Sequence, residues 1–209
     1  YIRSGLVFVN NMLRKRHKEL TSLMIYSTTA CQSRCQHCAI WKKPVENLSL
    51  DDIIKLMGSK CVTKRTVVGL EGGEFMLHPE ADAILGWFDE NHPNYTLLSN
   101  CLAPDKVIDA VKRHRPTHLY VSLDGNKATY LYMRGRDGYD KVIKVIEACK
   151  DIVPVSLMFC LSPWNSFEDM KHVIDITKKY NIDVRIGIYN TMSFFDTTKG
   201  LMETENEDF

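Results

Sequence analysis

Short apolar runs alternate along this chain with longer segments in which apolar residues recur every three or four positions. The runs fall at residues 23–28, 66–70, 95–98, 118–123, 153–161 and 184–189 and are rich in Val, Ile, Leu and Tyr. Several are continuous rather than alternating, which predicts strands buried on both faces. The segments between them read as helices. Ser49 caps a helix over 50–59, with Asp52 three residues on as a capping-box partner and Ile53, Ile54, Leu56 and Met57 for the core. Pro79 suits the first turn of a helix carrying Ile84, Leu85, Trp87 and Phe88. Residues 105–114 place Val107, Ile108 and Val111 at helical spacing, and 139–150 place Tyr139, Val142, Ile143, Ile146 and Cys149 on one stripe. Ser166 with Asp169 opens a further helix whose inner face is Phe167, Met170, Val173, Ile174 and Thr177.

Alternating strand and helix predicts right-handed crossovers and a parallel sheet. Six strands with five intervening helices fit either an open partial barrel or a doubly wound sheet, and in both, ligands collect at the C-terminal ends of the strands. Residues 10–20 read as a basic helix ahead of the first strand, its charges a solvated face. The chain thus divides into a basic helical extension (1–21), a core domain (22–200) and an acidic, frayed tail (201–209).

Composition narrows the function classes. Lys+Arg 27 against Asp+Glu 26 leaves a net charge of +1, so no global bias points to nucleic acid. No apolar run approaches the roughly 18 residues of a spanning helix. The cluster Arg14, Lys15, Arg16, Lys18 follows the apolar stretch 6–9 instead of preceding it, unlike a secretory signal, although Tyr1 is not a start methionine. Seven cysteines, an odd number, argue against a disulfide framework and for reduced thiols or metal ligands in a cytoplasmic setting.

The sharpest chemistry is Cys31, Cys35 and Cys38, three thiols within eight residues immediately after the first predicted strand. A structural zinc site needs a fourth ligand; His37, squeezed between two of the cysteines, is poorly placed to supply it. Three thiolates around a cubane of four irons leave one iron open to bind a small molecule.

With this CxxxCxxC spacing the chain resembles the radical S-adenosylmethionine (SAM) superfamily, and further elements extend the likeness over residues 22–189. Glu71-Gly72-Gly73-Glu74 is similar to the family's GGE element, whose backbone and acidic group receive the SAM amine; Phe75 stands where relatives often have proline. Ser99-Asn100-Cys101 stands where relatives often have Thr-Asn-Gly. Ser122-Leu123-Asp124-Gly125 looks like SLDG, with the serine near SAM, and Met133-Arg134-Gly135 like the element whose arginine pairs with the SAM carboxylate. His37 stands where relatives place an aromatic residue near the adenine. Plainer readings stay open: a turn for Gly72 and Gly73, a first-turn helix carboxylate for Glu74, a turn or cap pair for Ser122 and Asp124, a solvated loop residue for Arg134, a packed ring for His37.

The resemblance is closest to the branch with peptide and sulfatase maturases and the molybdenum-cofactor cyclase. It implies a partial (β/α)6 TIM-like barrel with parallel strands. The implied cofactors are SAM and one [4Fe–4S] cluster on Cys31, Cys35 and Cys38. The implied chemistry is reductive cleavage of SAM to methionine and a 5′-deoxyadenosyl radical, which abstracts hydrogen from a small-molecule or peptide substrate. A flavodoxin- or ferredoxin-like donor would supply the electron. The alternatives are an activase that makes a glycyl radical on a partner protein and a non-catalytic Fe–S or zinc module. Cys101, Tyr189 and Asn190, at predicted strand ends, are candidate substrate contacts, and Asn165 is a candidate for lining the pocket. Cys61, Cys149 and Cys160 read as core. With those four other cysteines scattered over separate elements, a single cluster is expected if the chain is complete at Phe209.

Overall fold

A computed structural model describes residues 2–14 and 18–189. Among the described residues the elements run α1 (Ile2–Leu13), β1 (Ser22–Tyr26), α2 (Leu50–Met57), β2 (Val67–Glu71), α3 (Ala81–Asn91), β3 (Tyr95–Ser99), α4 (Pro104–His114), β4 (His118–Ser122), α5 (Lys127–Arg134), α6 (Tyr139–Cys149), β5 (Val155–Leu161), α7 (Phe167–Tyr180) and β6 (Asp183–Ile188). All six strands are parallel and lie in chain order, β1 to β6, with β1 and β6 at the two edges. The sheet is a half-barrel, the partial TIM-like barrel of the sequence reading, and not a doubly wound sheet, whose strand order would reverse.

The core fills one side of this sheet. Val68, Leu70, Leu97, Leu119, Val121 and Leu157 are fully buried against Ile84, Phe88, Val107, Val111, Val142, Ile146 and Val173 of the helices. Each such aliphatic side chain contributes about 1.5–3 kcal/mol by leaving water. The strands are not buried on both faces, however. Their alternate residues line a concave lumen that the six strands leave open, so Met24 is 54% exposed on β1 and every residue of β6 but Val184 is exposed. Continuous apolar runs misled here because the lumen face also carries Met24, Leu98 and Met158.

Local chemistry sets the helix ends. Ser166 and Asp169 form the full reciprocal capping box of α7. At α2, Ser49 Oγ accepts from Asp52 N but Asp52 bonds the Ser49 hydroxyl instead of its backbone, so the box is only half made. Pro104, not Pro79, occupies a first helical position; α3 begins at Ala81. Ile54, Leu56 and Phe167 were placed in the core by their spacing, yet all three are exposed, Phe167 at 63%; on α7 the core position is Ile176. The helix predicted over 10–20 lies upstream at Ile2–Leu13. Asn11 ends it by exchanging two 2.7 Å hydrogen bonds with the backbone of Glu19. The Glu19 carboxylate is in turn held by Arg65 and Thr63, which keep its pKa down at about 2.

The largest departure is α5. The periodicity predicts no element over residues 127–134 and leaves a loop setting open for Arg134, but Asn126 caps a helix there, accepting from the amides of Ala128 and Thr129, and Gly135 closes it with a left-handed φ of 61°. The signal was present as an asparagine cap, a glycine stop and Tyr130, Met133 and Arg134 at helical spacing.

Candidate active site

At the C-terminal ends of the strands lies a cavity of about 360 Å³, lined among others by Cys31, Cys35, Cys38, Glu74, Ser122 and Arg134. Elements distant in sequence are brought together there by the parallel order, which puts every β-to-α loop on the same rim.

The cysteine loop is held from below by α5. The amides of Arg34 and Gln36 donate to the carbonyls of Arg134 (2.9 Å) and Met133 (2.8 Å), two of the last carbonyls a helix leaves unpaired. Gly135 lets the loop approach, since a Cβ there would stand 3.0 Å from Arg34 Cβ and O. Asn100 Nδ2 stands 3.8 Å from Cys31 Sγ, and Arg134 Nη1 3.7 Å from Cys35 Sγ. Burial raises all three thiols, Cys31 to about 11, so each would release a proton on becoming a metal ligand.

Gly72 and Gly73 have a structural use of their own. A Cβ on Gly73 would stand 2.4 Å from Ala30 O and 2.8 Å from Thr29 O, and one on Gly72 2.5 Å from Thr28 O. The end of β2 is thus pressed against the backbone leading into the cysteine loop, with Gly73 N donating to Thr28 O and Glu74 N to Ala30 O. Gly73→Ala is expected to force that loop outward and destabilise the fold by about 1–3 kcal/mol, the usual cost of overpacking. A thermal melt with no shift from the parent would refute the contact.

Glu74 is buried and its two oxygens are engaged: Ser99 Oγ donates at 2.9 Å, Asn100 N at 2.7 Å and Met76 N at 3.3 Å. Burial raises its pKa despite these donors. It therefore ties the ends of β2 and β3 together while still facing the cavity. Arg134 is not a solvated loop residue. It is buried on α5, with Nε and Nη2 each 2.6 Å from Asp124 Oδ2. Burial works against its charge, and Asp124 and Cys35 outweigh it, keeping the guanidinium cationic. The other Asp124 oxygen accepts from Cys160 N. Ser122, the last residue of β4, lines the cavity two residues before Asp124.

The remaining sequence assignments divide. Cys101 is not a cavity contact: it is fully buried in the core, at φ 59°, the left-handed conformation that suits the glycine of Thr-Asn-Gly. Cys160 is the reverse case, expected in the core but lining the cavity, because its side chain falls on the lumen face of β5. Tyr189 packs edge-on against Trp164 at 5.2 Å and is not among the cavity-lining residues. Asn165 is a brace rather than a lining residue, donating to Asp124 O and Cys160 O. Asn190 and the tail 201–209 lie outside the described residues. Trp41, Ser33 and Met158 line the cavity without having been singled out in the sequence, since loop and strand positions of this kind carry no periodic signal.

The donor set fits an iron–sulfur cluster and a polar ligand. Ser33 Oγ, His37 Nδ1 and Trp41 Nε1 are buried without hydrogen-bond partners, and all three residues line the cavity. Such atoms mark a space shaped for a bound molecule. Burial holds His37 neutral, with its pKa down at about 4. Among the described residues no three His, Cys, Asp or Glu side chains gather round one ion position.

A parallel half-barrel with three thiols and orphaned polar atoms at its strand ends defines a cofactor-binding (β/α) domain. The Radical SAM superfamily profile matches residues 25–177, and the chain belongs to that superfamily, whose members are enzymes. It is 26% identical over 180 residues to the molybdenum cofactor biosynthesis protein moc-5 of Caenorhabditis elegans, covering 80% of this chain and 30% of that protein. In fold it is similar to SuiB of Streptococcus suis bound to S-adenosylmethionine, with TM-score 0.72, 17% identity, 85% of this chain and 42% of SuiB. It is also similar to anSMEcpe with bound AdoMet and the Cp18Cys peptide, with TM-score 0.63, 17% identity, 82% of this chain and 51% of that one. The chain therefore spans under a third of moc-5 and about half or less of the two enzymes of known structure. Among the described residues no helix is long and apolar enough to cross a membrane.

Proposed function

We propose that this domain binds one [4Fe–4S] cluster through Cys31, Cys35 and Cys38 and SAM beside it, and uses them to abstract hydrogen from a small-molecule or peptide substrate. The observation that carries the reading is the convergence of the three thiols and the orphaned Ser33, His37 and Trp41 atoms on one cavity of a superfamily half-barrel. When bound, the cluster and SAM supply reductive cleavage of the sulfonium to methionine and a 5′-deoxyadenosyl radical, the electron coming from an external donor.

The chain's own residues bind, orient and shield. Asn100 and Arg134 place hydrogen-bond donors toward Cys31 and Cys35, where they offset thiolate charge. Glu74, fixed by Ser99 and Asn100, presents a carboxylate edge to a SAM ammonium, and Gly72 and Gly73 line the same cavity. His37, neutral, offers an acceptor or a donor to a heterocycle according to its tautomer. Arg134 enters less directly than the sequence motif implies: its Nε and Nη2 are spent on Asp124, so its pull on a SAM carboxylate acts through the position of that pair. The cavity walls Leu98, Met158 and Phe159 are apolar and exclude water, which protects a radical from quenching.

Anaerobic reconstitution tests the reading. Iron and sulfide of about four each per chain, together with reductant-dependent formation of methionine and 5′-deoxyadenosine from SAM, are the expected results. Bound zinc in place of iron, or iron without SAM turnover, would count against it.

A further inference from the structure

One cationic group on the lumen face has no part in the site above. Arg185 lies on β6 two residues before Gly187, and Tyr120 on β4 two residues before Ser122; Gly187 and Ser122 both line the cavity. Side chains two apart on a strand share a face, so Arg185 and Tyr120 occupy the same lumen one step, about 7 Å, further from the strand ends. The Arg185 guanidinium crosses β5 to stand 4.3 Å over the Tyr120 ring, and His118 stacks on Tyr120 at 4.5 Å with the planes 22° apart. His118 Nε2 is hydrogen-bonded at 2.7 Å to Ser156 Oγ, which anchors the stack to β5. Among the described residues Arg185 forms no ion pair.

The carboxylates around it leave it unpaired. Asp183 is on the same strand face but one step further down, level with Ser156 in the strand register. Glu71 lies on β2 and is hydrogen-bonded to Tyr26. Arg185 also hydrogen-bonds the Tyr120 side chain, which holds the guanidinium in place; its remaining N–H donors can meet an oxyanion, and its fork matches a carboxylate or a phosphate. From this geometry we infer that the Arg185–Tyr120–His118 stack is a recognition site for an oxyanion on the substrate, a carboxylate or phosphate lying in the lumen below the reacting carbon. This rests on the reading of the lumen as the substrate cavity.

The probes are sodium phosphate and sodium acetate, each titrated at constant ionic strength against chloride into the full-length 15N-labelled chain. A saturable shift of the Arg185 Nε–Hε cross-peak, assigned by its loss in Arg185→Gln, is the expected result. Arg185→Gln should weaken that anion roughly tenfold or more, read on the Tyr120 and His118 ring signals. The exposed side chain can be changed without loss of fold, and Tyr120→Leu, which removes the ring beneath the guanidinium, should weaken the anion as well. Phosphate binding alone identifies a phosphorylated substrate, and acetate binding a carboxylate. If neither anion shifts the cross-peak saturably, or if Arg185→Gln binds as the parent does, the inference is overturned. The titration needs neither cluster nor SAM, so its failure is separable from failure of SAM cleavage.

Discussion

Replacing Cys35 with alanine is expected to abolish cluster assembly, taking bound iron from about four per chain to near zero and SAM cleavage with it. Cys35 is the most buried of the three motif thiols, and the carbonyls of α5 hold the loop on both sides of it. A substitute ligand is hard to recruit. Cys101 and Cys149 are sealed in the core, and Cys61 follows α2 away from the cavity. Cys160 does line the cavity, but its amide is pinned to Asp124. The broad visible absorbance of the reconstituted cluster should therefore disappear in Cys35→Ala and persist in Cys101→Ala. Retention of that absorbance in Cys35→Ala would show that the three thiols are not the ligands.

Asp124→Ala is expected to be the most destabilising single change in the site, costing about 3–5 kcal/mol, because it strands a buried guanidinium. Both partners are enclosed, Asp124 completely, and the lost carboxylate also leaves Cys160 N without its acceptor. For a chain of this size that cost corresponds to a fall in Tm of roughly 6–20 °C, measurable by calorimetry on protein without a cluster. Arg134→Ala should also destabilise the fold, by uncovering Asp124, and should loosen the cysteine loop at Cys35. An Asp124→Ala protein melting with the parent would mean that the pair is not closed in solution. Arg134→Lys keeps a charge but cannot reproduce the two-nitrogen grip on Asp124, so it should recover only part of the loss.

How far the residues alone reach is clearest from particular elements. The six strands, their parallel direction and the apolar faces of α3, α4 and α6 follow from periodicity, because a strand followed by an amphipathic helix has few ways to bury its apolar side. The cysteine spacing and the glycine pair were equally legible, being local patterns whose chemistry depends on residues adjacent in sequence. α5 was missed because its exposed face, with Leu131 half-exposed and Tyr132 more so, blurs the stripe that Tyr130 and Met133 form. With it was lost the reason that Arg134 is buried.

What the sequence by itself determined was therefore the parallel strands, the three closely spaced thiols after the first of them and, through its resemblance, the half-barrel and the superfamily. Only the tertiary structure decided that Arg134 pairs with Asp124, that Glu74 ties two strand ends, that Cys101 turns inward while Cys160 faces the cavity, and that Arg185 reaches across β5 to the Tyr120 ring. These outcomes depend on contacts between residues ten to about a hundred positions apart. A one-residue difference in where a strand ends also sends a side chain to the opposite face. Periodicity records which side of an element is apolar; it carries no record of which distant partner a polar group will meet.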